Sequence, residues 1–131
     1  MSALESSAAD TCQVSFRRIP GGLRAHVTGT GTFANTVSSW RTVLVEVRER
    51  KPATLLLVDE LRGPPLSAGE WHDLVEALRG QGLENVRIAH VKPRGLQSIE
   101  YCEIYAREAE FEARVFDNET TAGLWLRYGA E

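Results

Sequence analysis

The tightest constraint on this chain is the run Leu55-Leu56-Leu57-Val58, four consecutive apolar residues with no alternation. A short strand without a period of two is covered on both faces, which places it at the centre of its sheet. The surrounding stretch, residues 54–78, continues through Asp59 and Glu60 into a Gly/Pro loop and then an amphipathic helix. Ser67 stands three residues before Glu70, the spacing of a capping box. Trp71, Leu74, Val75 and Leu78 then fall on one helical face. The rest of the chain must fit around this strand, loop and capped helix.

The flanking periodicities supply the other elements. Val14 and Phe16 alternate with polar neighbours, Pro20-Gly21-Gly22 turns the chain, and residues 23–28 resume the strand pattern, which predicts an antiparallel hairpin. Phe33, Val37, Trp40, Leu44 and Val47 make one apolar stripe that ends at a basic cluster and Pro52. After Gly80 and Gly82, residues 86–91 alternate as a strand. Residues from Gly95 to about Glu110 predict a helix with Leu96, Ile99, Cys102 and Ala106 on its inner side. Residues 113–116 form a short strand, and a final helix follows Asp117-Asn118 and closes at Gly129. The order ββαβαβαβα predicts a single α/β domain with a five-stranded, mostly parallel sheet, an antiparallel first strand and four helices. Residues 1–12 read as a flexible N-terminal tail and 13–131 as the domain. At 131 residues the chain is long enough to bury a core without staples.

Ligands of such sheets gather outside the carboxyl ends of the strands. Here that rim carries residues 29–32, 59–67, 92–95 and 117–119. No motif on it carries chemistry by itself. His26, His72 and His90 lack metal-ligand spacing, CxxC and HExxH are absent, and Gly29-x-Gly31 lacks the third glycine of a dinucleotide loop. No metal or cofactor is therefore expected. Asp59 has two readings: a general base or cation ligand, or an acceptor for the backbone of the following turn. Cys102 reads as a small core residue, and no nucleophile–base set assembles by spacing. The Tyr101/Tyr105 pair, one helical turn apart, borders an apolar cavity, forms an interface patch, or simply packs.

The net charge of −3, with both signs interleaved, gives no electrostatic footprint for nucleic acid. The longest apolar run is far too short for membrane insertion. The N-terminal residues carry no basic region followed by an apolar run, so a cytoplasmic location is expected, with Cys12 and Cys102 as free thiols.

Three segments, LLLVDELRG (55–63), SAGEWHDLVEAL (67–78) and RVFDNETTAGLWL (114–126), together with the element order, resemble the SpoIIAA-like (STAS) fold family. The likeness is closest to its bacterial STAS/SEC14-like branch of small proteins. With no catalytic set in the sequence, and with a loop of Arg62, Pro64, Pro65 and Leu66 unusually apolar for a turn, a non-catalytic binding or regulatory module acting through protein–protein contacts is expected. The branch's SEC14-like label implies the alternative, a carrier or sensor of an apolar, lipid-like small molecule. An enzyme ranks third. Anti-sigma-factor antagonists of this fold carry a phosphorylatable serine at the start of the helix after the central strand. The matching position is Ser67, in Leu66-Ser67-Ala68-Gly69-Glu70, without the preceding Asp and following Leu of that pattern. Its capping role is favoured. The candidate interaction or ligand rim is Asp59, Arg62, Leu66, Ser67, Trp71, Tyr101, Tyr105 and Trp125. A homodimer stays open on general grounds alone.

Overall fold

Five strands pair in the order in which the chain makes them: β1 (Cys12–Ile19), β2 (Gly22–Thr30), β3 (Thr54–Arg62), β4 (Arg87–Val91) and β5 (Glu112–Phe116). β1 is antiparallel to β2, and every later pairing is parallel. Four α-helices complete the domain: α1 (Phe33–Arg50), α2 (Ala68–Leu78), α3 (Tyr101–Glu108) and α4 (Glu119–Tyr128). A short 3-10 turn (Leu83–Asn85) precedes β4. This is the expected α/β order and topology. The computed structural model describes residues 11–129. The tail expected over residues 1–12 lies, as far as residue 10, outside the described residues, and β1 begins at Cys12.

Sequential strand order fixes where the helices go. Each parallel crossover moves one strand along in the same direction, and right-handed connections then leave α1, α2 and α3 on one face. Their side chains Trp40, Val43, Leu44, Leu74, Leu78 and Ala106 pack with Leu23, Ala25, Leu55, Leu57 and Ile88 of the sheet. After β5 the chain turns to the other face. There α4 lays Ala122, Trp125 and Leu126 over Leu56, Val58, Ala89, Val91 and Phe116. The run 55–58 is thus divided two residues to each layer, and all four are buried. That is the physical reason it shows no alternation. No helix of the described residues is long and apolar enough to cross a membrane.

On its face α4 packs chiefly over β3, β4 and β5. Over β1 and β2 that face is mostly polar, with Arg24 paired to Glu119 at the start of α4 at 2.9 Å and His26 to Glu60 at 2.6 Å, while Ile19 of β1 packs against the α4-side cluster.

Two boundaries differ from the sequence reading, and both shape the rim. β3 runs four residues past its apolar run, still in register with β2 up to the Thr30–Arg62 pair. Asp59 and Glu60 tolerate strand positions because His90 and His26 face them. α3 begins at Tyr101, well after Gly95, where the helix was expected to start. Gly95 has φ +120°, a conformation open to glycine but strained for other residues, and Leu96 and Ile99 stay 46% and 48% exposed. Residues 92–100 are therefore a loop.

The capping box forms as the spacing predicted. Ser67 Oγ accepts from the Glu70 N–H at 3.1 Å, and Glu70 Oε1 accepts from the Ser67 N–H at 2.9 Å. This fixes the start of α2 beside the loop that leaves β3.

Candidate functional site

The turns after β2, β3 and β4 surround a cleft of about 380 Å3. Three of the four rim segments expected from the sequence contribute to it. The fourth, residues 117–119, does not, because α4 lies across the sheet. The wall after β3 holds Arg62, Gly63, Pro64, Pro65 and Leu66, and the wall after β4 holds Lys92, Arg94, Gln97, Ile99 and Glu100. Gly63 and Gly95, at φ +114° and +120°, let each wall turn sharply away from its strand.

Asp59 sits on the cleft floor. Its Oδ1 accepts the Leu61 N–H at 3.1 Å, the turn-bracing role open to it from sequence. Its Oδ2 lies 2.9 Å from His90 Nε2. The register explains the encounter: Leu57 stands opposite His90, and Asp59 is two residues further along β3, on the same face. The His90 ring is 4% exposed and meets the edges of Trp40 and Trp71 at centroid distances of 5.9 and 6.2 Å. Burial opposes a charge on His90, but bonds to Asp59 and the Cys102 thiol outweigh it, and its pKa is pushed up to about 9. Burial likewise raises Asp59, yet His90, the Leu61 N–H and Lys92 hold its carboxyl below the usual value. The two form an ion pair at neutral pH.

A second pair ties down the β4–α3 loop. Lys92 Nζ and Glu100 Oε1 are 2.5 Å apart, with side chains 16% and 12% exposed. Glu100 Oε2 also accepts the Gln97 N–H, and the Cys102 Sγ lies 3.5 Å from Oε1. Lys92 Nζ stands 5.5 Å above the Trp71 ring centroid, and its backbone N–H donates to the Phe116 carbonyl at 2.7 Å. Burial pulls the Lys92 pKa down, but the neighbouring Cys102 sulfur, the bond to Glu100 and the Asp59 carboxylate more than compensate, so it stays raised.

Of the candidate residues, Asp59, Arg62, Leu66, Trp71 and Tyr101 line this one cleft. Ser67 stands at its edge, exposed, engaged as the cap of α2. Tyr105 lies one turn along α3, stacked on Tyr101 at 6.3 Å and edge-on to His72 at 5.3 Å, and does not reach the cleft. Trp125 belongs to the opposite layer, against Phe116. Sequence reasoning placed Lys92 and Arg94 on the expected rim without singling them out, set His90 aside for want of ligand spacing, and missed Glu100. The alternation of residues 86–91 puts His90 on the same face as Ile88. Among the described residues, no group of three or more His, Cys, Asp or Glu side chains is placed to hold a metal ion.

A second, mostly apolar cavity touches Trp40, Leu74, Leu83, Phe111 and Cys102 and shares the Trp71 ring with the cleft. It measures about 40 Å3, room for little more than a water molecule.

No family model matches the chain, and a search of curated proteins gives no match either.

Proposed function

We propose that this chain is a non-catalytic binding and regulatory module of the STAS-like kind, cytoplasmic, acting through contacts with another protein at the mouth of the cleft. The observation that carries this reading is the mouth itself. Ile99 is 48% exposed and shares the opening with the exposed Pro64 and Pro65 and the half-buried Leu66. Apolar side chains grouped around a polar recess are what a docking surface needs. The acid–base groups beneath them argue for binding over catalysis. Asp59 and Glu100 are both engaged by internal cations, and His90 is out of reach of solvent. No carboxylate on the floor is left over to take a proton from a substrate. An apolar carrier needs several hundred Å3 of apolar space, and the inner cavity of about 40 Å3 lends that reading little support.

Photo-crosslinking tests the proposal. A benzophenone amino acid is placed at Leu66 or Ile99, and at Val45 on the outer side of α1 as a control, in cells of the source organism. One discrete adduct from positions 66 and 99, absent from 45, is expected. The same adducts from all three positions, or none from the rim, would overturn the reading.

A further inference from the structure

The two edges of the sheet end differently. At β5 the outward backbone groups are met by α3. The Val115 N–H donates to Glu103 Oε1 at 3.2 Å, and the Ala113 carbonyl accepts from Arg107 Nε at 3.2 Å. At β1 the register identifies the outward groups. The Thr30 N–H donates to the Thr11 carbonyl at 3.2 Å, so the hydrogen-bonded pairs of this antiparallel ladder fall at Thr11, Gln13, Ser15, Arg17 and Ile19. Cys12, Val14, Phe16 and Arg18 therefore turn their N–H and C=O groups away from β2. Among the described residues, the outward groups of Val14, Phe16 and Arg18 meet no partner. β1 pairs with β2 along its whole length without a bulge, and it holds no proline. A long edge left open in this way is a template for another strand.

From this contrast we infer that a second copy of the chain pairs with that edge, β1 against β1, antiparallel about a twofold axis at Ser15. The pairing is closed. The two β1 edges satisfy each other, and the outer edges of the joined sheet, five strands from each copy, are the β5 edges that α3 meets. The hydrogen bonds also match. With Ser15 opposite itself, Val14 of one copy faces Phe16 of the other and Cys12 faces Arg18, so outward groups meet outward groups throughout. Val14 and Phe16, half-buried against the core on the α1 side, then continue that apolar face across the join. The charges select this register. Arg17 faces Gln13, and the Arg17 residues of the two copies stand four residues apart along the ladder, about 14 Å. A register centred on Phe16 halves that separation, and one centred on Arg17 sets arginine against arginine. No residue of β1 lines the cleft, so this contact is distinct from the docking mouth and goes beyond that reading.

Sedimentation velocity of the full chain over a dilution series tests the association, and disulfide trapping tests the register. The wild type should pass reversibly from dimer to monomer on dilution. Val14→Pro removes an outward N–H from each copy and should raise the dimer dissociation constant at least about tenfold. Ser15→Asp, at an exposed position that leaves the fold intact, sets two carboxylates face to face at the axis and should raise it severalfold. Leu124→Asp, exposed on the helix that packs over β3, β4 and β5, should leave it unchanged. Under mild oxidation Ser15→Cys should give a dimer linked through position 15 of both copies, because opposed residues of a non-hydrogen-bonded pair lie within disulfide reach. Gln13→Cys, whose two copies stand about 14 Å apart in this register, should not. Peptide mapping separates these links from any made by Cys12 or Cys102. A wild type that stays monomeric at every concentration, a dimer that Ser15→Asp leaves intact, or a link at position 13 in preference to 15 would each overturn the inference.

Discussion

His90 and Asp59 meet at 2.9 Å across the β3–β4 pairing, the histidine sealed between two tryptophans and the aspartate open to the cleft. The pair joins the core to the rim. One partner belongs to the layer beneath α1 and α2, and the other braces the turn that starts the β3 wall through the Leu61 N–H. A buried pair of this kind adds little over a well-packed apolar substitute, but removing one partner leaves the other charge stranded.

The pair makes stability depend on pH in a defined direction. His90 rises from 6.5 to about 9 on folding, so its contribution is complete below pH 6.5 and is lost as pH climbs through 9. Asp59 is lowered from 3.8, so its contribution is present above pH 3.8 and is lost only as pH falls through the lower folded value. Urea unfolding should therefore show stability falling from pH 6.5 to pH 9.5, by on the order of 3 kcal/mol at most. Asp59→Asn should flatten this slope and cost about 2–4 kcal/mol at pH 6.5. An equal slope in the variant would show that the pH dependence does not arise from the Asp59–His90 pair.

Glu100 makes a separable prediction. Its carboxylate holds Lys92 and the Gln97 N–H together and so closes the loop over residues 92–100. Glu100→Gln should cost about 1–3 kcal/mol in urea unfolding. Hydrogen exchange at the Gln97 amide should quicken well beyond any global change. If that amide exchanges no faster than those of β4, the loop is held by other bonds, such as the Gly95 N–H to Lys92 carbonyl contact at 3.0 Å.

These two pairs are also where sequence reasoning stopped. The central strand was legible because coverage on both faces writes itself as an unbroken apolar run, and the capping box because its partners lie three residues apart. The rim loops followed from the strand ends, which is why Asp59, Arg62 and Leu66 were found. Asp59 and His90, by contrast, are 31 residues apart, and only the register of two strands joins them. No local spacing encodes that register. Glu100 was hidden by reading residues 95–110 as one helix, which made it a surface position on a continuous turn. Trp125 was grouped with Trp71 by residue type. The side of the sheet on which α4 docks depends on how the chain turns after β5, and this separates them.

Ser67 tests the capping role against a modification site. Because Ser67 Oγ accepts the Glu70 N–H, Ser67→Ala should cost about 1 kcal/mol, measured as a shift in urea midpoint at constant slope. Ser67→Asp keeps an acceptor and places negative charge at a helix N-terminus, so it should lie within about 0.5 kcal/mol of the wild type. A loss larger than that of alanine would mean that a negative group at this position breaks the turn, and a phosphoryl group would be excluded with it.

Trp125 offers a test on the far side of the sheet. Its ring is 6% exposed, sits 5.6 Å from Phe116 and carries the Arg87 guanidinium 5.4 Å from its centroid. Yet Nε1 is buried with no hydrogen-bond partner among the described residues. An unmet donor of this kind costs about 1–3 kcal/mol, comparable with the packing lost when an indole is trimmed to a phenyl ring. The two effects oppose each other, so Trp125→Phe should leave stability within about 1 kcal/mol of the wild type, whereas Trp125→Ala should cost about 3–5 kcal/mol. A loss of about 3 kcal/mol in the phenylalanine variant would mean that the N–H has a partner, such as a buried water.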